Sequence, residues 1–300
     1  TWAARDVDEM LLHFRLQREL APDFSARFDD VLAADVHAMV ARMTFFGTAR
    51  DSGGSFENVL CVTFTFADDG RTNQSDVFEA EQVAEALARF DELTGTSQEE
   101  ASPFENALVR YAELRARSGR IDGSDEGTAA FANAVTRMAN RFVRATAALD
   151  WQGLADLFAP DLRFDDRRPL LRMELPKEGF LVQFRTLFDV PKARWTATPL
   201  ATRGERLTLF RLTLNGDVGN DGGPLEIEHL WVGGVRDDGR CDTIVLFEPG
   251  ELDAAYAELD ARYEAGDAAA HRHGWHVMRA FVRAIALHDF AAVAALCAES

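Results

Sequence analysis

Apolar residues in the middle of the chain recur first at helical and then at strand spacing. Between Thr128 and Ala159 they recur every three or four positions, which predicts two consecutive amphipathic helices, the second capped by Asp150. A short extended stretch at residues 162–164 precedes a third helix after Pro176, a residue favoured at helix starts. Four strands are then predicted at residues 193–201, 206–214, 225–235 and 241–247, separated by Gly- and Asp-rich turns, and a closing helix at residues 251–263.

The N-terminal region shows the second half of the same order. A helix is predicted over residues 5–20, followed by strands over residues 26–34, 37–47, 56–67 and 72–79 and a helix over residues 80–93. In the third of these strands apolar and less apolar residues alternate, which indicates one face packed more tightly than the other.

These two regions are internal repeats. Residues 59–93 match residues 228–262 without a gap at an offset of 169, including the turns Asp68-Asp69-Gly70-Arg71 and Asp237-Asp238-Gly239-Arg240. Residues 142–145 match residues 281–284 at an offset of 139. Because the first match covers the end of a module and the second covers its beginning, the sequence predicts tandem modules of one architecture.

The matches predict four segments. Residues 1–96 form a module that lacks its opening helices, residues 97–127 form a linker with a docking helix, and residues 128–264 form a complete module. Residues 265–300 are the opening helices of a third, truncated module, so we expect a fragment of a longer protein. We expect the final helices either to expose an apolar face at Trp275, Phe281 and Leu296 or to pack on the central module.

Composition narrows the possible partners and the compartment. The chain has 300 residues, 47% of them hydrophobic, and a net charge of −18, which argues against nucleic acid and anionic membrane surfaces as partners. The sequence has no apolar run long enough to span a membrane. Three cysteines lie far apart without a CxxC pair, which is typical of a reduced, cytoplasmic protein.

The order helix, helix, strand, helix and antiparallel strands resembles the cone-shaped α+β barrel of the nuclear transport factor 2 superfamily, and most closely its SnoaL-like, polyketide-cyclase-like branch. The residues that carry this resemblance are Phe142-Val143-Arg144-Ala145 with Asp150-Trp151, residues 157–162, residues 236–240 and Phe247-Glu248. The resemblance implies tandem cone-shaped barrels, each with helices packed on a curved antiparallel sheet. Tandem modules of this kind also resemble the C-terminal regions of large actinobacterial regulatory proteins.

In the families that this fold resembles, ligands bind at the open end of the cone, and an Asp, His or Arg reaches inward. His229 is the first candidate, because it shares a strand face with Ile227 and Trp231 and a histidine beside an apolar wall can act as general base or hydrogen-bond a ligand. Asp242 on the partner strand is a second catalytic candidate that could orient it. The predicted ligand-binding residues are Trp195, His229, Trp231 and Phe184. A sheet histidine satisfied by the backbone is the favoured alternative.

Other polar clusters are weaker candidates. Asp165-Asp166-Arg167-Arg168 resembles the Asp, Arg, Asp set of epoxide hydrolases in this superfamily, but four adjacent charges beside a proline are more typical of a solvated turn. His271, His273 and His276 could place two ligands on one helical face, yet no third ligand follows, and we predict no metal site.

Three classes of function remain open. The first is a non-catalytic module of a larger bacterial regulatory protein that senses a small molecule or binds another protein. The alternative is a cofactor-independent SnoaL-like isomerase, cyclase or hydrolase that acts on a hydrophobic small molecule. The third is a scaffold with filled cones. We predict no cofactor, and as partners a hydrophobic small molecule and other domains of the parent chain.

Overall fold

The computed structural model describes residues 6–95, 133–217 and 223–298. The docking helix predicted within residues 97–127 lies outside these ranges. The chain divides into two compact units. One, the two-segment unit, comprises residues up to Glu113 together with residues from Glu264 onward, and the other, the central unit, comprises Leu114–Tyr263.

The two-segment unit is built on a four-stranded antiparallel sheet with the strand order β1-β2-β3-β4. The N-terminal segment supplies this sheet and two helices, and the C-terminal segment supplies two further helices and a short 3-10 helix at Asp267–His271. The bounds are α1 Val7–Leu20, β1 Ser25–Ala34, β2 Ala38–Thr48, β3 Ser55–Phe66, β4 Thr72–Glu79, α2 Val83–Thr94, α7 Arg272–Ala286 and α8 Phe290–Ala295.

The C-terminal helices cover one face of this sheet. The Phe281 ring centroid lies 6.1 Å from that of Phe14 in α1 and 6.2 Å from that of Phe64 in β3. Trp275 is fully buried, and its ring centroid lies 5.8 Å from that of Phe28 of β1. The expectation of an exposed face or of packing on the central module is therefore wrong, because the first sheet presents an apolar face that these helices cover. The assignment of residues 265–300 to a further module stays a prediction.

The central unit contains a six-stranded mixed sheet with the order β6-β5-β10-β9-β8-β7. Its α3 begins with a reciprocal capping pair between Asn133 and Thr136. The predicted cap of α4 is confirmed, because the Asp150 side chain accepts a hydrogen bond from the Gly153 N–H. The bounds are α3 Ala134–Ala147, α4 Trp151–Ala155, β5 Phe158–Asp166, β6 Met173–Pro176, α5 Lys177–Phe188, β7 Arg194–Arg203, β8 Leu207–Asp217, β9 Pro224–Val235, β10 Cys241–Phe247 and α6 Leu252–Ala265.

Two details of the predicted architecture change. Both units are mixed α+β with curved sheets, but over the described residues each sheet is open and neither closes into a barrel. The central sheet is also not wholly antiparallel, because β10 pairs in parallel with β5. The chain leaves β5 through β6 and α5 and returns through an antiparallel meander, so its last strand enters beside β5 in the same direction.

The internal repeat reappears in the strand bounds. Ser25–Ala34, Ala38–Thr48 and Ser55–Phe66 correspond to Arg194–Arg203, Leu207–Asp217 and Pro224–Val235, each shifted by 169 residues. In both units an Asp-Gly turn precedes the strand that follows the meander, β4 or β10, with positive φ angles of 81° at Gly70 and 75° at Gly239. Each unit therefore contains a three-stranded antiparallel meander at matching sequence positions.

The two faces of the central sheet are packed differently. Leu230 and Val232 of β9 contact a cluster that includes Leu259 of α6. Trp231 faces the other way, into a larger cluster rich in aromatic residues that contains Phe142 of α3 and Phe184 of α5. This alternation follows from the pleat of a strand, and it assigns the odd-numbered side chains of β9 to the α3 and α5 side.

Candidate functional site

A cavity of about 490 Å³ lies between α5, β5 and the sheet of the central unit. We call it the central cavity. Its lining is mostly aromatic and aliphatic, and it includes five polar side chains, those of Asp166, Arg168, Gln183, Thr186 and His229. The apolar lining is formed mainly by Phe142, Phe158, Phe164, Leu171, Met173, Phe180, Phe184, Leu187, Trp195, Leu212, Ile227, Trp231, Ile244 and Leu246.

His229 lies in the wall of the central cavity. It pairs with Leu212 of β8 in the strand register and shares its face of β9 with Ile227 and Trp231, which also line the cavity. The residue is only 5% exposed, and its Nδ1 has no hydrogen-bond partner among the described residues. The structure therefore does not provide the local partner that a histidine of purely structural role would be expected to have.

The electrostatic surroundings keep His229 uncharged. Burial lowers the pKa of His229 from its ordinary 6.5 to about 4; the Arg168 charge lowers it further, and the Asp166 charge partly opposes this. The imidazole is therefore neutral at pH 7. One ring nitrogen of a neutral imidazole donates a hydrogen bond and the other accepts one.

Asp166 and Arg168 form a bidentate ion pair in the wall of the central cavity. Arg168 Nε donates to Asp166 Oδ1 at 2.9 Å, and Arg168 Nη2 donates to Asp166 Oδ2 at 2.7 Å. The Asp166 side chain is 2% exposed and that of Arg168 is 19% exposed. The contact with Asp166 raises the pKa of Arg168, so the guanidinium stays charged. Its Nη1 makes no hydrogen bond to any described residue.

The neighbouring charges point to the other side of the sheet. Arg167 Nε contacts Asp165 Oδ2 at 2.7 Å, and Arg167 Nη1 contacts Glu258 Oε2 of α6 at 2.8 Å. The interpretation of residues 165–168 as a solvated turn is therefore wrong for half of the cluster. The end of β5 is still pleated, so alternate residues of one short charged run lie on opposite faces, and Asp166 and Arg168 face the cavity.

The predicted aromatic residues come together in the cavity wall. Phe184 of α5 lies 5.3 Å from Trp195 of β7, and Phe142 lies 5.6 Å from Trp195 and 6.1 Å from Trp231 between ring centroids. The Nε1 atoms of Trp195 and Trp231 are buried and have no hydrogen-bond partner among the described residues. The wall thus combines aromatic surface with indole donors that the surrounding protein leaves unpaired.

Asp242 does not belong to this site. The register pairs Phe247 with Leu230, so His229 lies beside the C-terminal end of β10, whereas Asp242 lies near the start of that strand beside Gly234. At about 3.3 Å per residue the two are roughly 15–20 Å apart along the strands. The expectation that Asp242 orients His229 is wrong, because sequence alone did not fix the register of the β9–β10 hairpin.

The histidines at the start of α7 are placed differently from the cavity histidine. His276 Nε2 lies 2.8 Å from Glu264 Oε1, and His271 is buried. Over residues 6–95, 133–217 and 223–298, no group of three His, Cys, Asp or Glu side chains is arranged to hold a metal ion. In the same ranges no helix is long and apolar enough to cross a membrane.

Comparison with known proteins gives structural matches only. No family model and no curated protein matches the chain. RV0760c from Mycobacterium tuberculosis, solved in complex with estradiol-17beta-hemisuccinate, is 15% identical, with 39% of this chain and 94% of that chain covered and a TM-score of 0.34. A Delta 5-3-ketosteroid isomerase from Mycobacterium sp. is 16% identical, with coverages of 41% and 97% and a TM-score of 0.34.

The epoxide hydrolase/cyclase-like enzyme SalBIII, implicated in pyran ring formation in the polyether salinomycin, is 10% identical. That match covers 37% of this chain and 87% of SalBIII, with a TM-score of 0.32. The solved structures that this chain resembles thus include a ketosteroid isomerase and an epoxide hydrolase/cyclase-like enzyme, at 10–16% identity.

Proposed function

We propose that the central unit binds a hydrophobic small molecule that carries an oxygen-bearing polar group, without catalysing its conversion. The observation that supports this most directly is a central cavity with an apolar wall and one polar patch, formed by His229, Asp166 and Arg168. Its volume of about 490 Å³ lies within the usual range of roughly 300–1,000 Å³ for small-molecule sites.

The polar patch favours a ligand that accepts hydrogen bonds. Arg168 uses Nε and Nη2 on Asp166, so the two hydrogens of Nη1 remain for an acceptor. The neutral imidazole of His229 supplies one further donor or acceptor. A carbonyl, carboxylate or sulfonate oxygen at one end of an apolar body fits this combination.

Two related dyes test the proposal. Anilinonaphthalene-8-sulfonate and N-phenyl-1-naphthylamine share an apolar body, and only the first carries an anionic group. We expect both to bind, and we expect the sulfonate to add affinity by contacting Arg168. Fluorescence titration of each dye against the full chain measures the difference.

Matched variants localise that binding. Ile227→Trp should fill the central cavity and lower the affinity of both dyes at least tenfold, whereas Glu226→Trp, at an exposed position on the opposite face of β9, should not. The double change Asp166→Asn with Arg168→Gln should remove only the preference for the sulfonate, and Arg167→Gln should leave it in place. Equal dye binding by Ile227→Trp and the unchanged protein would refute the proposed site.

An enzymatic role is the second candidate, and it is favoured by the neutral His229 and the Asp166 carboxylate, which line the same cavity. An imidazole with a pKa near 4 is unprotonated at pH 7 but is a weak base, and for that reason we place binding first. With an identified ligand, His229→Ala should weaken binding by about 0.5–1.5 kcal/mol if His229 only hydrogen-bonds it. A general base would instead show a loss of roughly a hundredfold or more in turnover with binding retained.

The proposed role within a larger protein and the proposed compartment rest mainly on the sequence. A sensing role inside a larger bacterial regulatory protein is supported by the tandem repeat and by the family resemblance. Placement in the cytoplasm is supported by Cys61, Cys241 and Cys297, which are buried and unpaired. A pull-down with the longer regulatory protein, carried out with and without bound dye, would test whether a ligand changes the set of proteins that it binds.

A further inference from the structure

The mouth of the central cavity lies between α5 and the loop that joins β5 to β6. Leu171 of this loop lines the cavity and is also 46% exposed, so it lies at the mouth. On the other side, Gln183 and Thr186 of α5 line the cavity and are exposed. The two sides meet where Gln183 Nε2 donates to Met173 Sδ at 3.0 Å. We call residues 169–172 the mouth loop.

The tip of the mouth loop is apolar and lies in solvent. Leu170 is 95% exposed and is not among the residues that line the cavity. A leucine held almost wholly in water lacks the stabilisation that burial of its side chain would provide. Because Leu170 adjoins Leu171 at the mouth, a small movement of the loop would bring a second apolar side chain over the opening.

The mouth loop is anchored at both ends and strained at one of them. Leu171 N–H and Arg172 N–H both donate to the Arg168 carbonyl, at 3.0 and 3.1 Å. Met173 fixes the other end as the first residue of β6. Arg172 has a φ of 33°, which a residue with a side chain adopts only at a cost in free energy. Arg172 is thus the position at which a change of φ would both relieve strain and move the tip of the loop.

The same loop is joined to the polar patch of the cavity. The Arg168 carbonyl closes the turn of the loop, and the Arg168 side chain lines the cavity. We propose that the mouth loop is a lid, which turns inward over a ligand in the central cavity and buries Leu170 against the apolar body of that ligand. This inference rests on the binding that is proposed for the central cavity.

A lid lets a cavity that is open on one side retain an apolar ligand. Without closure, the part of the ligand at the mouth stays in contact with water between Gln183 and Leu171. With closure, Leu170 moves from water onto the ligand, so the closed arrangement is favoured only when the cavity is filled. Release then requires the lid to open first, and the rate of release is therefore the quantity to measure.

Dissociation of the neutral dye N-phenyl-1-naphthylamine from the full chain tests the lid by stopped-flow fluorescence. Leu170→Ser should raise the dissociation rate constant roughly fivefold or more and leave the association rate constant unchanged, because Leu170 does not line the open cavity. Leu149→Ser, at a 69% exposed position between α3 and α4, is the matched control and should change neither rate. Far-UV circular dichroism and the urea midpoint verify that both variants fold.

Hydrogen exchange gives a second measurement. Bound dye should slow exchange over residues 170–173 in the unchanged protein, and much less in Leu170→Ser. The lid alone is refuted if Ile227→Trp weakens dye binding but Leu170→Ser leaves dissociation unchanged or the dye leaves exchange over residues 170–173 unchanged. Dye binding that is absent, or that Ile227→Trp leaves intact, refutes the proposed binding site and the lid together.

Discussion

The central cavity and a groove of about 170 Å³ between α1 and β4 of the two-segment unit are lined by corresponding strands, yet their walls carry different chemistry. His229 and Trp231 of β9 correspond at an offset of 169 to Leu60 and Val62 of β3, which line that groove. The strands of the two meanders thus correspond in position while the polar residues do not, so we expect the two pockets to favour different ligands.

The largest loss of stability should follow from replacing the phenylalanine with which α3 or α7 packs against its sheet. Phe142 of α3 and Phe281 of α7 correspond at an offset of 139, and both are almost fully buried. Replacing either by alanine should lower the free energy of unfolding of its unit by about 3–5 kcal/mol, through lost burial and a residual cavity. Urea unfolding followed by hydrogen exchange, which resolves the two units, measures this; a small effect of Phe281→Ala would show that α7 is not part of the two-segment core.

A loss of stability of intermediate size should follow when the pH is lowered. The pKa of His229 falls from 6.5 in the unfolded chain to about 4 in the fold, so below pH 6.5 the unfolded state binds the extra proton. The contribution of the neutral His229 to the stability of the central unit is therefore fully present above pH 6.5. As the pH falls toward 4, the free energy of unfolding should decrease by on the order of 3 kcal/mol.

His229→Gln should flatten this pH dependence, and His276→Gln, at a half-exposed position paired with Glu264, should not. Denaturant midpoints between pH 7.5 and 4 check both. All other histidines of the chain lie outside residues 114–263, so the central unit has no second imidazole that could mask the result. A pH dependence unchanged by His229→Gln would contradict burial of a neutral histidine.

The smallest effect should distinguish the two Asp-Gly turns. Both glycines have positive φ angles, so alanine at either position should cost about 1–2 kcal/mol. A Cβ at Gly239 meets only Arg141 Nη2, at 3.6 Å, whereas a Cβ at Gly70 would lie 1.5 Å from His273 Nε2. Gly70→Ala should therefore be the more destabilising, and His273→Ala added to it should bring the loss in urea midpoint back to that of Gly239→Ala.

The meanders could be predicted because alternation and turn residues define them locally. The predicted strand at residues 56–67 is observed at Ser55–Phe66, and the predicted helix at residues 251–263 is observed at Leu252–Ala265. The parallel pairing of β5 with β10 and the packing of α7 on the first sheet could not be predicted in this way. Both join segments far apart in sequence, and no local pattern specifies which of two similar sheets a helix will cover.

The site was predicted in part for the same reason. Period-two alternation places His229 with Trp231, but four adjacent charges beside a proline predict a solvated turn where the structure has the ion pair of Asp166 and Arg168. The same alternation in residues 165–168 is the signal that could have revealed it, since a run of charges that continues a strand must present every second residue to the interior. The prediction for Asp242 is wrong because the register of a hairpin depends on its bulge, which lies between Cys241 and Thr243.

The construction of the two-segment unit from separated parts of the chain has a consequence for synthesis on the ribosome. Its sheet is complete once Glu79 has emerged, but α7 begins only at Arg272, roughly 190 residues later. At about 5–20 residues per second, the nascent chain would carry the uncovered face of Phe28 and Phe64 for roughly 10–40 s. The central unit, which is contiguous, can fold during that interval, so the unit whose strands are made first is the one that folds last.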